Sequence, residues 1–247
     1  MNIAGNTIFI PGATSGIGLA LATRLQAAGN TVIIGGRRTE LLARLKDEHG
    51  FDTVTIDTTD DDSVLAARDT ILTAHPGLNV VITMAGIMIA EDVRTADFLK
   101  TAERTVKTNI LGPLRLVSAF VEHLRTRPDA TIITVSSGLA HLPLAIAPSY
   151  NGSKAFIHRF TETLRLQLAD TTVKVVELTP PGVRTELTPG QSAWEHFMSV
   201  DDYADETIEI LRTQPDVTEV LVEAVKGMRH AEIDGTYDQL VTVINAG

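Results

Sequence analysis

The stretch TIFIPGATSGIGLALATRLQAAG, residues 7–29, decides the fold class of this chain. It starts as a short apolar run, turns through closely spaced glycines, and continues as a helical pattern up to a glycine suited to a helix C-terminus. A buried strand that leads through a glycine turn into a helix is typical of the first unit of a doubly wound α/β sheet. The stretch therefore predicts a strand, a turn and a helix in that order.

Further apolar runs follow, and a longer helical pattern separates each run from the next. Because the runs are apolar on both faces, they suit parallel strands that helices cover on both sides. The predicted strands are 7–10, 31–34, 53–56, 79–83, 130–135 and 173–178, with a possible seventh at 217–222. The predicted helices are 16–29, 39–50, 60–75, 95–124, 149–168 and 201–212, followed by two short helical stretches.

We therefore predict an α/β fold, a Rossmann-type doubly wound parallel sheet of six or seven strands with helices on both faces. No Pro/Gly/Ser-rich linker, charge run or internal repeat divides the sequence, so residues 1–247 are predicted to form a single domain. The segment 180–200 has the composition of a loop, and we expect a substrate loop at about 183–200.

The composition disfavours several classes of partner. Lys and Arg number 21 against 31 Asp and Glu, and the resulting net charge of −10 disfavours nucleic acid and anionic membrane surfaces. The sequence has no cysteine, which excludes disulfides and thiolate-bound metals and is compatible with a reducing compartment. It shows no signal peptide and no run near the ~20 apolar residues that span a bilayer, so we expect a soluble cytoplasmic protein.

The glycine turn predicts an anion site. Gly12, Gly16 and Gly18 lie between a buried strand and a helix, and Ser15 adds a hydroxyl donor. Such a turn brings backbone N–H groups and the helix N-terminus close to a pyrophosphate. A tight strand–helix turn that needs glycine only for its conformation is the alternative. The position on the first strand of a doubly wound sheet favours a dinucleotide.

The end of the second predicted strand indicates which dinucleotide binds. An Asp or Glu there would accept hydrogen bonds from a ribose 2′-hydroxyl, but this sequence has two glycines followed by Arg37 and Arg38. Guanidinium groups bind a 2′-phosphate, and arginine at a helix start is otherwise unfavourable, so NADP(H) is predicted over NAD(H). After the third strand, Asp57 suits an adenine amino group, and Asp60 suits the cap of the next helix.

The motifs, taken in order, resemble those of the short-chain dehydrogenase/reductase superfamily up to about residue 185. PGATSGIG stands for the family's TGxxxGxG with Pro11 in place of threonine, and TMAG at 83–86 stands for NNAG without either asparagine. KTNILGP carries the helix asparagine, VSSGL the serine, SYNGSK the YxxxK pair, and PPGVRTEL the PG motif. Each motif alone is weak, whereas six of them in the family's order are a strong signal.

The resemblance implies a site and a reaction. The implied catalytic residues are Asn109, Ser137, Tyr150 and Lys154, and no metal is implied. The predicted cofactor-binding residues are Gly12, Ser15, Gly16, Ile17, Gly18, Arg37, Arg38, Asp57, Thr58, Ala85, Gly86, Tyr150, Lys154, Gly182, Val183 and Thr185. The implied activity is NADP(H)-dependent hydride transfer between the nicotinamide and a carbonyl or secondary alcohol. An NAD-dependent dehydrogenase of the same fold and a non-catalytic nucleotide-binding regulator are the alternatives.

The implied roles agree with the chemistry of these side chains. Tyr150 and Lys154 are one helical turn apart, so both reach the same face. An ammonium group beside a phenol favours the phenolate, and we expect it to lower the tyrosine pKa from its ordinary value near ~10. Ser137 is expected to hold the substrate oxygen. Asn109 is expected to interrupt its helix and to hold a water that connects the lysine to solvent.

Three further expectations concern the rest of the chain. His141 is expected to be a loop residue, while His75, His158 and His196 show no metal-like spacing with carboxylates. The apolar residues Trp194, Phe197 and Met198 suit either a substrate lid or surface packing. The resemblance also implies a homodimer or homotetramer built through 95–124 and 149–168. The apolar positions consistent with that assembly, which could equally face the sheet, are Leu111, Leu114, Val117 and Phe156.

Overall fold

A computed structural model describes residues 1–246 and contains one seven-stranded parallel sheet. Its strand order is β3-β2-β1-β4-β5-β6-β7, so the direction of winding reverses between β1 and β4. The strands are β1 (Thr7–Pro11), β2 (Thr31–Gly36), β3 (Asp52–Thr55), β4 (Val80–Thr83), β5 (Ala130–Val135), β6 (Val173–Leu178) and β7 (Glu219–Val220). The predicted doubly wound sheet is confirmed, and its switch point predicts a ligand crevice at the carboxyl ends of β1 and β4.

Helices cover both faces of the sheet. They are α1 (Gly16–Ala27), α2 (Thr39–His49), α3 (Asp61–Ala74), α4 (Phe98–Val106), α5 (Gly112–Leu124), α6 (Pro148–Gln167), α7 (Val200–Thr213), α8 (Glu223–His230) and α9 (Tyr237–Ile244). One apolar core joins the sheet to α1, α2 and α7, and a second joins its other face to α3, α5 and α6.

The apolar runs face both cores, as their composition predicted. In β1, Ile8 and Ile10 point into the core under α1, whereas Phe9 points into the opposite core beside Phe120 of α5. In β2, Val32 and Ile34 likewise lie on one side and Ile33 on the other. Alternate side chains of a strand leave opposite faces, so burial of both sets requires a helix layer on each side.

Two predicted elements differ in detail from the structure. The predicted helical segment 95–124 begins at Phe98 and consists of α4 and α5 joined by a π-helical segment, Lys107–Leu111, with Asn109 at its centre. The possible strand 217–222 shortens to two residues, because β7 is the sheet edge and pairs with β6 only at Glu219 and Val220. π-helical turns concentrate at functional sites, so the first difference points to the site.

The remaining connections are locally determined. Asp60 caps α3 by accepting a hydrogen bond from the Ser63 amide at 3.0 Å, as predicted. The predicted loop 180–200 contains one short 3₁₀ turn, Gln191–Ala193, and an isolated bridge between Val183 and Met198. Among residues 1–246, every helix is too short or too polar to cross a bilayer.

Candidate active site

A cleft of about 680 Å³ opens at the carboxyl ends of the central strands. Its wall begins at the glycine turn after β1, passes the ends of β2 and β4, and continues to the end of β5 and the start of α6. Of the predicted site residues, all except Asn109 and Gly182 line this cleft. Segments distant in sequence therefore converge where the fold predicts a ligand.

The glycine turn is tight enough to exclude side chains. Gly12 has φ +89°, and a Cβ placed on it would lie 2.7 Å from the Ala85 Cα. A Cβ on Gly18 would lie 2.7 Å from the Gly12 carbonyl oxygen, so α1 could not approach the turn. Both positions therefore require glycine, the first for its left-handed backbone and the second for close packing.

The N-terminus of α1 offers free donors to the cleft. Ser15 is its N-cap residue, yet the Ser15 side chain makes no capping hydrogen bond within the part of the chain that the structure describes. The amides of Gly16, Ile17 and Gly18 belong to the first helical turn, where N–H groups have no intrahelical partner. Free amides together with the positive end of the helix dipole suit a pyrophosphate, so this turn fits a dinucleotide.

Basic side chains gather at one end of the cleft although the chain is acidic overall. Arg38 donates a hydrogen bond to the Thr14 hydroxyl at 2.9 Å, and Arg37 extends to within 4.0 Å of an Asp57 oxygen. Arg104 and Lys107, which the sequence analysis missed, also line the cleft. An anionic group at this end would therefore meet a local field opposite to that of the whole protein.

Asp57 is held in position at the end of β3. Its Oδ1 accepts hydrogen bonds from the Thr59 amide at 2.9 Å and the Thr59 hydroxyl at 2.8 Å. Burial opposes ionisation of the carboxyl, but these hydrogen bonds and the nearby Arg37 and Lys107 hold its pKa below the ordinary value. Asp57 is therefore a fixed acceptor facing the cleft.

Tyr150 and Lys154 lie together on the buried face of α6. The Lys154 Nζ is 5.6 Å from the centre of the Tyr150 ring and donates a hydrogen bond to the Val135 carbonyl oxygen at 2.8 Å. Burial raises the pKa of Tyr150 to about 12, against a lowering by the Ser137 hydroxyl. Burial lowers the pKa of Lys154 to about 8, against the Glu177 carboxylate. The expected lowering of the tyrosine pKa is therefore wrong for this arrangement, because burial outweighs the hydrogen bond from Ser137.

Ser137 is positioned by the end of β5. It is the N-cap residue of the 3₁₀ turn Gly138–Ala140, and its Oγ accepts a hydrogen bond from the Leu139 amide at 3.2 Å. The side chain is buried, and it faces the Tyr150 phenol closely enough to favour the phenolate. The residue thus has a fixed hydroxyl beside the buried Tyr150 phenol.

Asn109 lies behind the cleft at the centre of the π-helical segment. Its Oδ1 accepts from the Ile87 amide at 2.9 Å, while its Nδ2 donates to the Ile87 carbonyl at 2.8 Å and to the Ser153 hydroxyl at 3.1 Å. The expected interruption of the helix is confirmed. Since Ile87 follows Gly86 directly, Asn109 fixes the chain that forms the wall beside Lys154.

Comparison with known proteins agrees with this arrangement. The family model described as short chain dehydrogenase matches residues 6–196. The chain belongs to the short-chain dehydrogenase family. Membership makes it an oxidoreductase.

Relatives of this family match nearly the whole chain. An uncharacterized oxidoreductase, DltE, of Bacillus subtilis (strain 168) is 35% identical over 99% of this chain and 100% of its own length. Sulfoacetaldehyde reductase 2 of Chromohalobacter salexigens is 31% identical over 81% of each chain. The crystal structure of a short chain dehydrogenase from Burkholderia cenocepacia J2315 in complex with NADP superposes with a TM-score of 0.82 at 25% identity over 98% of each chain.

Two departures from the short-chain dehydrogenase motifs are accommodated by packing. Pro11 ends β1 opposite Gly35, and the following residue, Gly12, donates to the Gly35 carbonyl at 2.8 Å. Met84, in the altered TMAG motif, packs on the apolar core at α1. The hydroxyl of Thr83 in the same motif is buried without a hydrogen-bond partner within residues 1–246. The turn therefore keeps its form while the asparagine contacts are absent.

Two carboxylates that support this short-chain dehydrogenase site escaped the sequence analysis. Glu91 accepts hydrogen bonds from the Ser149 amide at 2.5 Å and the Ser149 hydroxyl at 2.9 Å, so it caps α6 immediately before Tyr150. Glu177, in β6, is almost fully buried. The position of Glu177 inside an apolar strand is a sequence signal for a buried carboxylate. Glu91 has no such signal, because it is far in sequence from the helix that it caps.

His141 is a loop residue, as expected, but the expectation that His158 has no metal-like arrangement with a carboxylate is corrected. His158 contacts His141, with ring centres 4.6 Å apart, and ligand atoms of these two residues and Glu219 lie within 4.8 Å of one another. Sequence spacing could not show this cluster, because three separate elements form it. Glu219 also accepts a hydrogen bond from the Arg229 guanidinium at 2.6 Å. A guanidinium beside a divalent cation is unfavourable, and His158 Nδ1 is bound to Glu177 instead, so this cluster is a poor metal site.

The loop at about 183–200 folds back on the PG motif of the family. Gly182 accepts a hydrogen bond from the Met198 amide at 3.0 Å, and a Cβ on Gly182 would lie 2.8 Å from the Phe197 ring. Trp194 packs edge-on against Phe197, with ring centres 5.1 Å apart. Gly182 thus supports the loop from behind, while Val183 and Thr185 line the cleft.

Proposed function

We propose that this chain transfers hydride between NADP(H) and a carbonyl or secondary alcohol, with Tyr150 as the acid and base. One observation carries the proposal: Tyr150, Lys154 and Ser137 converge on the same cleft as the glycine turn. The nicotinamide supplies the hydride in reduction and accepts it in oxidation. The proposed cofactor-binding set is the one expected from the sequence, except that Gly182 acts through Phe197.

In reduction, the Tyr150 phenol donates its proton to the substrate oxygen, and it takes the proton back in oxidation. Burial raises the pKa of the phenol, so the phenolate needs a stabilising charge when the proton leaves. The Lys154 ammonium, 5.6 Å from the ring, supplies that charge. Ser137 hydrogen-bonds the substrate oxygen and holds it beside the phenol. Asn109 keeps the wall at Ile87 in place and supports the return of the proton through water.

The two arginines after β2 support NADP(H). Arg37 and Arg38 line the cleft with no carboxylate at the end of β2 to repel a phosphate, and the relative from Burkholderia cenocepacia was crystallised with NADP. The NAD-dependent alternative requires the Asp57 carboxylate to take the role of ribose acceptor. Comparing rates with NADPH and NADH separates the two.

Arg37→Ala is expected to raise the KM for NADPH at least about 10-fold and the KM for NADH by less than about 2-fold, because only NADPH presents a phosphate to the guanidinium. Initial rates with each cofactor measure both values. Arg44→Ala removes the same charge from an exposed position of α2 outside the cleft and is the matched control. Equal increases for both cofactors would contradict a phosphate contact.

The direct test of the function is a screen of ketones and aldehydes with NADPH, followed at the nicotinamide absorbance. Small aldehydes with an anionic group belong in the screen, because one relative is a sulfoacetaldehyde reductase. Larger apolar ketones belong there too, because the apolar side chains of Val183 and Leu187 line the cleft. If NADPH binds and no carbonyl is turned over, the non-catalytic regulator becomes the better interpretation.

We also propose one domain that assembles as a homodimer or homotetramer in the cytoplasm. A single sheet uses strands from Thr7 to Val220, which supports one unit. The outer faces of α4 and α6 expose Leu99, Phe156 and Leu166, and Phe156 stacks on Phe160. Of the apolar positions suggested by the sequence, Leu111 and Phe156 are exposed, whereas Val117 is buried against the sheet. An apolar face of this kind fits a second copy of the chain.

A further inference from the structure

The buried face of α6 that carries Tyr150 and Lys154 continues one turn further to His158. The His158 Nδ1 lies 3.0 Å from both carboxylate oxygens of Glu177, which is 1% exposed. Burial opposes ionisation of Glu177, but its hydrogen bond from His158 holds the pKa of the carboxyl below the ordinary value. Nδ1 therefore donates and Glu177 accepts. The proposed proton transfer uses neither residue.

The strand register places Glu177 close to the part of β5 that binds Lys154. Glu177 pairs with Thr134 of β5, and the following residue of β5, Val135, accepts the Lys154 hydrogen bond. Lys154 and His158 are four residues apart on α6, so both point to the same side of the sheet. The Glu177 charge favours the ammonium form of Lys154 and opposes the effect of burial on the lysine pKa.

We propose that Glu177, held by His158, is a positioning residue that keeps Lys154 charged. This inference rests on the proposed function, in which the Lys154 ammonium stabilises the Tyr150 phenolate. A buried ammonium that hydrogen-bonds only a neutral carbonyl would readily lose its proton, because burial disfavours its charged form. The buried carboxylate offsets part of that cost.

His158 modulates the charge that Lys154 experiences. When His158 is protonated, the pair with Glu177 is neutral, and when His158 loses its proton, the full charge of Glu177 acts on Lys154. The hydrogen bond to Glu177 raises the pKa of His158, so His158 keeps its proton to a higher pH than an unperturbed histidine does. As the pH rises through that titration, Glu177 holds the Lys154 proton more strongly.

Other charged groups surround the pair from every element packed on it. They are Lys154 and Glu162 on α6, His141 after β5, Glu219 on β7, and Arg229 and His230 on α8. Burial lowers the pKa of His141 to about 4, so it is uncharged near neutrality. Arg229 is bound to Glu219. Glu162 approaches His158 Nε2 no closer than 3.7 Å. Glu177 is thus the carboxylate through which this cluster acts on Lys154.

The test is the titration of Lys154 itself, followed by NMR on protein labelled at the lysine Cε and assigned with Lys154→Met. Glu177→Gln keeps the side-chain shape and removes the charge, and it is expected to move the Lys154 titration to lower pH by about one pH unit. The alkaline limb of the turnover–pH profile is expected to move in the same direction. Glu162→Gln, at the edge of the same cluster, is the matched control and should shift the titration by less than a third as much.

His158→Gln is expected to shift the Lys154 titration in the opposite direction. Glutamine can still donate to Glu177 but cannot carry a charge, so the Lys154 titration should move to higher pH than in the wild type. This variant also keeps the inference testable if thermal unfolding shows Glu177→Gln to be misfolded. A Lys154 titration that stays in place in a folded Glu177→Gln protein, or that moves the same way in both variants, would overturn the inference. Because the NMR readout needs no substrate, failure of the carbonyl screen would count only against the proposed function.

Discussion

Replacing Tyr150 with phenylalanine is expected to lower turnover by about 10³-fold while the affinity for NADPH changes by less than about 2-fold. The variant loses only the phenol oxygen, which in the proposed mechanism exchanges a proton with the substrate oxygen held by Ser137. The ring stays as packing for Lys154 at 5.6 Å. Steady-state turnover with the best substrate of the screen, together with NADPH fluorescence titration, measures both quantities.

The matched control for this variant is Tyr203→Phe. Tyr203 is also fully buried, but it lies in α7 and does not line the cleft. Its replacement should leave turnover within about 2-fold, since it removes an identical hydroxyl group away from the reacting atoms. If Tyr150→Phe kept more than about a tenth of the wild-type turnover, another group would have to move the proton.

Replacing Lys154 with methionine is expected to lower turnover by about 10²- to 10³-fold and to leave the protein at least as stable at neutral pH. Turnover falls because the Tyr150 phenolate loses the nearby ammonium. Stability behaves differently, because burial lowers the pKa of Lys154 to about 8 in the folded chain, whereas the unfolded lysine titrates near ~10.4. Keeping the buried ammonium therefore costs about 3 kcal/mol below pH ~8.

The sign of that stability effect can be checked against pH. Between the folded and unfolded pKa values the unfolded chain binds more protons, so the contribution of Lys154 makes wild-type stability rise as the pH increases from about 8 towards ~10.4. The methionine variant lacks this contribution. Urea unfolding of both proteins at pH 7 and pH 9 measures the difference in the free energy of unfolding. The stability advantage of the methionine variant over the wild type should be smaller at pH 9. Lys226→Met, on the surface of α8, should show no such change. A variant that is both active and less stable would contradict the assignment.

The local parts of the site were predictable because they depend on neighbours in sequence. Gly12 and Gly18 lie in one short turn, so their sequence context is enough to place them. Tyr150 and Lys154 are four residues apart in one helix, so the helical period places their side chains on the same face. The cap at Asp60 and the strand bounds of β5 and β6 followed for the same reason. Arg104 and Lys107 were missed, since their approach to the cleft depends on how α4 packs.

The direction of the tyrosine pKa could not be predicted from the pair alone. The sequence places an ammonium near the phenol, but burial depends on the elements that cover both groups, and burial dominates here. The same reason applies to Glu177, whose neighbours His158 and Lys154 belong to another element. Electrostatic free energies depend on distance and local dielectric, and both are properties of the packed structure.

By itself, the amino-acid sequence determined the doubly wound fold, the family, the glycine turn after β1 and the position of the Tyr150–Lys154 pair on one helix. These features follow from hydrophobic periodicity, glycine conformation and spacing along one element, all of which depend on residues that are close together in sequence. Only the tertiary structure decided the π-helical break at Asn109, the cap that Glu91 places on α6, and the buried carboxylate beside Lys154. Each of these joins groups from separate elements, whose distances exist only once the sheet and its helices have packed.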